Sequence, residues 1–440
     1  MRHFYLFRAS VIGLLMVCNI SLLAQGYHVK QVITGNGGKF EYAPPFLDYV
    51  TLQTYDPVNQ ATEEFGTIFT QSVQDILIVD HFAYVTAQDS IVKYNLNTMK
   101  RVAAVADSGL NKIAVCQGRL VITKQYPLTR YFATIRDTTD LSLIENVDGI
   151  SGDCQGVVSV NDSVYIAING GWAGTEGKIA VIDPQDWTLV REIQLGTDAV
   201  GIANLYLYNE KILSVNKTPY GAPVQGSITT YDPFTGLFTN TIYEITIGNG
   251  VDICDSTLFV MMNEGIGVIY LPTMEIADTS RIADPGSAGF IYITSAAFDT
   301  ISDLFYVNIG DYMSPGYCLV ADLTGDSVTS YSTGINAEAI AIDYRENMVG
   351  ILDPEHQTNL MALSIYPNPA TEWIHVTFES DMSVNEITII DLYGKVVMKK
   401  AMTGTNERSR RIDISDLPVG LYCLVVNTPV RPFTHKFVKR

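Results

Sequence analysis

Short runs of β-branched and aromatic residues, separated by Gly, Pro, Asn and Asp, fill the central part of this chain. Val157–Val160 leads through the turn Asn161-Asp162-Ser163 into Val164–Ala167, and a glycine-rich loop then leads to Lys178–Ile182. Asp183-Pro184 turns the chain again, and Leu189–Ile193 makes a fourth run. Such residues favour half-buried pleated positions, while Asp and Pro preset turns. Four strands in roughly 40 residues is the length of one propeller blade. The order recurs: Ile76–Val79, Tyr84–Thr86, Ile91–Tyr94 and Arg101–Val105 form the same series.

Units start near residues 75, 111, 154, 203, 250, 295 and 338, which gives seven, though a slip at one weak unit would give six or eight. The last unit holds two inner strands, Ala339–Ile342 and Met348–Ile351. The N-terminal part supplies two more, Tyr49–Leu52 and Gly66–Phe69. A ring closed by pairing these halves conceals its sheet edges, and each inner strand is expected to read as a nearly continuous apolar run. Beyond Asp353–Asn359 the pattern becomes a two-residue alternation with seven short strands: Leu363–Tyr366, Trp373–Phe378, Glu386–Ile390, Val396–Ala401, Arg410–Ile414, Leu421–Val426 and Thr434–Val438. That pattern predicts a compact β-sandwich.

The terminal segment resembles the C-terminal sorting domain of the type IX secretion system of Bacteroidetes. The features that carry the likeness are Ile365-Tyr366-Pro367-Asn368-Pro369, Val376–Phe378 and the turn Asp391-Leu392-Tyr393-Gly394 with Lys395–Val397. Ile414–Pro418, Val419-Gly420-Leu421-Tyr422 and Lys436–Lys439 complete it, while Thr428–Pro432 departs from the usual short polar turn. The resemblance implies recognition by the secretion machinery, an immunoglobulin-like fold for the segment, and removal of the segment after export. Val164–Ala167 and Gly177–Asp183, extended by Val190–Gly196, resemble the broad Tyr-Val-Thr-Asn and surface-layer propeller superfamily. That superfamily has no single chemistry, so the likeness informs the fold. The expected class is thus all-β: a seven-bladed β-propeller at 25–355, a linker at 356–362 and an immunoglobulin-like sandwich at 363–440.

Residues 1–24 read as an export signal, with basic Arg2 and Arg8, the short apolar stretch Val11–Ile20 and a small residue at Ala24. No later segment reaches transmembrane length, so the processed chain is expected to lack a membrane anchor. Residues 25–360 hold 39 acids against 16 Lys and Arg, whereas 361–440 hold 8 acids against 10. So acidic a surface repels nucleic acid and anionic lipid. Cys116, Cys154, Cys254, Cys318 and Cys423 are odd in number, widely spaced and without a CxxC pair; matching positions for Cys116 and Cys254 point to small core residues.

Catalytic motifs are scarce. His28, His81 and His356 are the only histidines of the propeller region and make no metal-ligand spacing, and no nucleophile elbow, P-loop or dinucleotide fingerprint occurs. No cofactor is expected. Asp322-Leu323-Thr324-Gly325-Asp326 reads as a side-chain-capped turn rather than a calcium loop, and Glu63-Glu64 and Asp299/Asp303 as exposed solubilising charge. The long inserted loops carry aromatics instead: Tyr126, Trp172 in Asn169–Gly174, Tyr220 and Tyr312. Convergent loops with exposed rings suit a noncatalytic surface-binding or scaffold protein with a glycan, peptide or host-protein ligand. The competing reading is an extracellular glycan- or peptide-processing enzyme using dispersed acids on one face.

Overall fold

The computed structural model describes residues 27–41, 46–160, 162–219, 221–223, 225–286, 291–346, 363–382, 386–391, 395–401, 407–427 and 432–440. The export segment 1–24, Met348–Ile351 and the linker 356–362 lie outside them. The described residues fall into two compact units, Tyr27–Arg345 and one within Glu346–Arg440.

The larger unit holds seven four-stranded antiparallel sheets in a propeller-like arrangement, six of them built from consecutive strands. Their first strands start at Val73, Leu110, Cys154, Ile202, Ile247 and Tyr292. The closing sheet orders Ala337–Glu346, Tyr27–Asn36, Val50–Asp56 and Ala61–Ile68 side by side. Closure thus joins one C-terminal strand to three N-terminal strands, where an equal split was expected. The strand left out of that expectation, Tyr27–Asn36, is polar at its start and ends in Gly35 and Asn36. Its pairing is fastened from far away in sequence. Gln31 Nε2 donates to Asp343 Oδ2 at 2.9 Å, and Arg345 Nη2 donates to the same carboxylate at 2.8 Å.

Burial sorts the strands by position. Second and third strands such as Val164–Ile168 and Ile179–Ile182 are buried throughout, because both their faces meet neighbouring sheets. First strands are half-buried: Gln155–Val160 is intermediate at every position. The expected apolar run thus belongs to the second and third strands, because the first strands face the middle of the ring. Fourth strands such as Lys100–Ala106 are largely exposed, which suits the rim of the ring. Each apolar cluster draws on two adjoining sheets, as where Cys116, Val121 and Ile135 meet Val164, Ile166 and Ile182.

The first strands also carry register shifts near their starts, for example between Val73 and Asp75, Cys154 and Val157, and Ile293 and Ser295. A bulge re-aims side chains out of the ladder. Here they bridge to the next sheet. Asp75 Oδ2 accepts from Ile113 N at 3.1 Å, Asn204 Oδ1 from Gly250 N at 2.9 Å, and Glu338 Oε2 from Val73 N at 2.6 Å. Asn111 Nδ2 donates to Cys154 O at 2.7 Å, and Ser295 Oγ to Ala337 O at 2.8 Å. Neighbouring sheets are held in register by these links as well as by apolar contact.

The C-terminal unit has all seven expected strands, arranged as a three-stranded and a four-stranded sheet. Ile374, Val376, Ile389, Leu424 and Phe437 belong to the single core that the two sheets share.

Candidate functional site

The loops between second and third strands belong to one face of the ring. Asn169–Gly177 is shaped by glycine: Gly170, Gly171 and Gly174 have φ of 74°, 71° and 62°, a region that L side chains rarely adopt. Gly171 has a second constraint, since a Cβ there would sit 2.2 Å from Asp153 Oδ2. Asn169 Oδ1 accepts from Gly171 N at 2.9 Å, and Asn169 O accepts from Glu176 N at 3.0 Å, closing the loop on itself. The turn raises Trp172 clear of the sheet, with 80% of its surface exposed. Tyr126, on the corresponding loop of the preceding sheet, is 82% exposed.

These two rings line one cleft of about 360 Å3. Gln125, Asp153, Gln155, Asn169 and Lys217 supply its polar lining. A smaller cleft of about 170 Å3 shares Lys217 and Pro219 with it and reaches Asp198 and Gln225. The site therefore spans the second, third and fourth sheets. Burial raises the Asp153 carboxyl above its ordinary value, against the lowering effect of the Tyr126 backbone N–H. Lys217 has open surface in the cleft, but the protein around it lowers its ammonium pKa, and the like charge of Lys112 adds to this. Among the described residues neither Asp153 nor Lys217 forms an ion pair, in contrast to Lys178, which pairs with Glu176 at 2.8 Å.

The expected aromatic set is only partly assembled. Trp172 and Tyr126 come together, Tyr312 is 54% exposed on the loop of the sixth sheet and lines neither cleft, and Tyr220 lies outside the described residues. Asp153, Gln155 and Lys217 were missed, because their convergence depends on which sheets are neighbours. A spacing equal to one repeat, placing Lys217 about two units beyond Tyr126, was the available clue.

Other expectations can be placed as well. Asp322 Oδ1 accepts from Thr324 N at 2.9 Å and from Asp326 N at 3.0 Å, the capped turn expected there. Asp299 corrects the reading of exposed charge: it is fully buried and caps a turn by accepting from Ile301 N at 2.9 Å. Glu63 and Glu64 are exposed. His81 sits in its turn with its ring centroid 4.2 Å from that of Phe82. Cys116, Cys154 and Cys318 are buried free thiols, and burial pushes Cys116 up to about 11, which keeps it protonated and unreactive. Cys254 is only half-buried.

In the C-terminal unit Tyr366, Pro367, Asn368 and Pro369 are exposed. Asn368 Oδ1 accepts from Val438 N at 2.9 Å, tying the motif to the last strand. Tyr422 is buried, its hydroxyl donating to Pro418 O at 2.8 Å, and Gly420 opens its strand. Lys436 belongs to the strand Pro432–Lys439, while Gly394 lies outside the described residues.

No curated protein matches the chain. Among solved structures, hydrazine synthase of Kuenenia stuttgartiensis is similar with 14% identity and a TM-score of 0.50, over 61% of this chain and 88% of that one. The computationally designed Ika8 protein is 13% identical over 78% of this chain and 92% of its own, at a TM-score of 0.45. The extracellular domain of a protein described as a one-component system in B. thetaiotaomicron is 13% identical over 95% of this chain and 58% of that one, again at 0.45. The first of these likenesses bears on the fold alone. Among the described residues no helix is long and apolar enough to cross a membrane. Residues 364–440 match the family described as the secretion system C-terminal sorting domain, which supports export by the type IX route to the outer-membrane surface or the extracellular space.

Proposed function

We propose that this chain is an exported, noncatalytic binding protein whose seven-bladed propeller, residues 25–355, presents a ligand-binding loop face. Residues 1–24 are its export signal and 356–362 its linker. Residues 363–440 form an immunoglobulin-like sorting domain of Bacteroidetes type, with the motif residues Tyr366–Pro369, Gly394, Gly420, Tyr422 and Lys436 serving secretion. The observation that supports the binding role is that two exposed aromatics, Trp172 and Tyr126, line one cleft together with polar residues such as Gln125, Asp153 and Asn169. Aromatic planes beside hydrogen-bonding groups bind sugars and peptides without any reacting group, and concave sites with few polar anchors are the usual ligand sites.

A second reading draws on Asp153 and Lys217. A carboxyl raised and an amine lowered in one cleft are the shifts that acid–base catalysis uses. An array of glycans and peptides probed with the full chain, with hydrolysis and elimination products measured in parallel, separates the two. The binding reading expects a retained ligand and no product. Turnover of a bound glycan or peptide would replace it with the enzyme reading.

A further inference from the structure

We infer that the Trp172 cleft receives a short peptide segment presenting a basic side chain and a carboxylate together, the simplest case being a chain ending in Lys or Arg. The inference rests on the binding-face reading and names its ligand class. Three observations carry it. First, Asp153 and Lys217 line the same cleft with opposite charges, yet among the described residues neither is paired. Elsewhere in the ring, cations near carboxylates do pair: Arg136 Nη2 lies 2.7 Å from Asp107, which also holds Lys124. Opposite charges set apart in one recess match a ligand that carries both signs and would satisfy each of them.

Second, exposed aromatic rings share the cleft with the carboxylate. Trp172 and Tyr126 line the cleft together with Asp153, whose carboxylate accepts the Tyr126 backbone N–H and occupies the space that a side chain at Gly171 would fill. Ring faces attract guanidinium and ammonium groups, most strongly for Trp and for a partly desolvated cation. Third, the surface of this domain is strongly acidic, so a wholly anionic ligand would be repelled on approach. A ligand with a cationic end is drawn in, and Lys217 then fixes its carboxylate. Partial burial around Asp153 strengthens its contact relative to open surface, while Lys217 meets the ligand from the cleft's open side. A cleft of about 360 Å3 lies at the small end of ligand sites and fits one or two residues rather than a folded partner.

The test titrates the full chain with four probes by calorimetry: Gly-Gly-Arg with a free carboxylate, its C-terminal amide, its citrulline counterpart, and a neutral trisaccharide. The free-acid arginine peptide is expected to bind best. Loss of either charge is expected to weaken it about tenfold or more. Asp153→Asn keeps an acceptor for the Tyr126 N–H and is expected to abolish the preference for arginine over citrulline while retaining acid over amide. Lys217→Met is expected to do the reverse. Melting curves for both variants show that each is folded. Equal affinity across the three peptides, or no peptide binding at millimolar concentration, overturns the inference. Trisaccharide binding that W172A weakens and that neither charge variant alters overturns it too, while leaving the binding face standing.

Discussion

Asp252 lies on the half-buried first strand of the fifth sheet, and its charge adds to the burial that raises the nearby Tyr206 phenol. Burial lifts the Asp252 carboxyl from 3.8 to about 6, although its Oδ1 accepts from Ile253 N at 2.7 Å. The folded chain therefore holds this proton more tightly than the unfolded chain does. The ionised carboxylate costs stability above pH 6; the cost shrinks as pH falls through 6 and is gone below 3.8. Asp252→Asn keeps the acceptor and removes the charge. It is expected to stabilise the protein by roughly 1 kcal/mol at pH 8 and to make little difference near pH 4. Denaturant melts at the two pH values check this, and a variant less stable than wild type at pH 8 would contradict it. Residue by residue, legibility followed residue type and loop context. Trp172 and Tyr126 announced themselves as large aromatics in glycine- or proline-bearing loops. Asp153 and Lys217 did not, because single charges at loop edges are common and their meeting is made only by the ring.

At the scale of elements, closure decides whether the ring holds. Asp343 is fully buried at the junction of the first and last pieces of the ring, where Gln31 and Arg345 both donate to it. Asp343→Ala would leave the Gln31 amide without its acceptor and Arg345 without its ion pair. A loss of about 2 kcal/mol is expected, moderated because Arg345 Nη1 also donates to Asn97 Oδ1 at 2.8 Å. Asp322→Ala, at an exposed outer turn, is the control. Hydrogen exchange should show Tyr27–Asn36 opening first in the closure variant. Equal melting of the two variants would argue against a latch. The repeat starts were readable because the strand–turn–strand order recurs with apolar runs of similar length. The three-plus-one closure was not, since Tyr27–Asn36 lacks a clean alternation and its glycine-rich end mimics a loop. The bulges on the first strands were equally hidden, because a bulge is defined by the pairing with the neighbouring strand, which the sequence does not display.

In the proposed function, the chain separates delivery from recognition. Its acidity belongs to the larger unit, while residues 361–440 are slightly basic and include the family match. If the terminal unit is a removable address, protein collected outside the cell should lack roughly the last 80 residues when its mass is compared with the signal-cleaved precursor. Retention of residues 363–440 in all external material would identify them as a permanent module. The sorting domain was legible because its motifs are ordered along the sequence, whereas the cleft was only half legible because it is assembled from three sheets.

The central claim is that the loop face bearing Trp172 is where this protein binds. Affinity for the strongest ligand from the array, compared between wild type and W172A with melting curves for both, tests it most directly. Trp172 is 80% exposed, so its truncation should leave the fold intact. The account predicts unchanged melting and a loss of affinity of about tenfold or more, the scale of an aromatic anchor. Equal affinity with equal melting would contradict it.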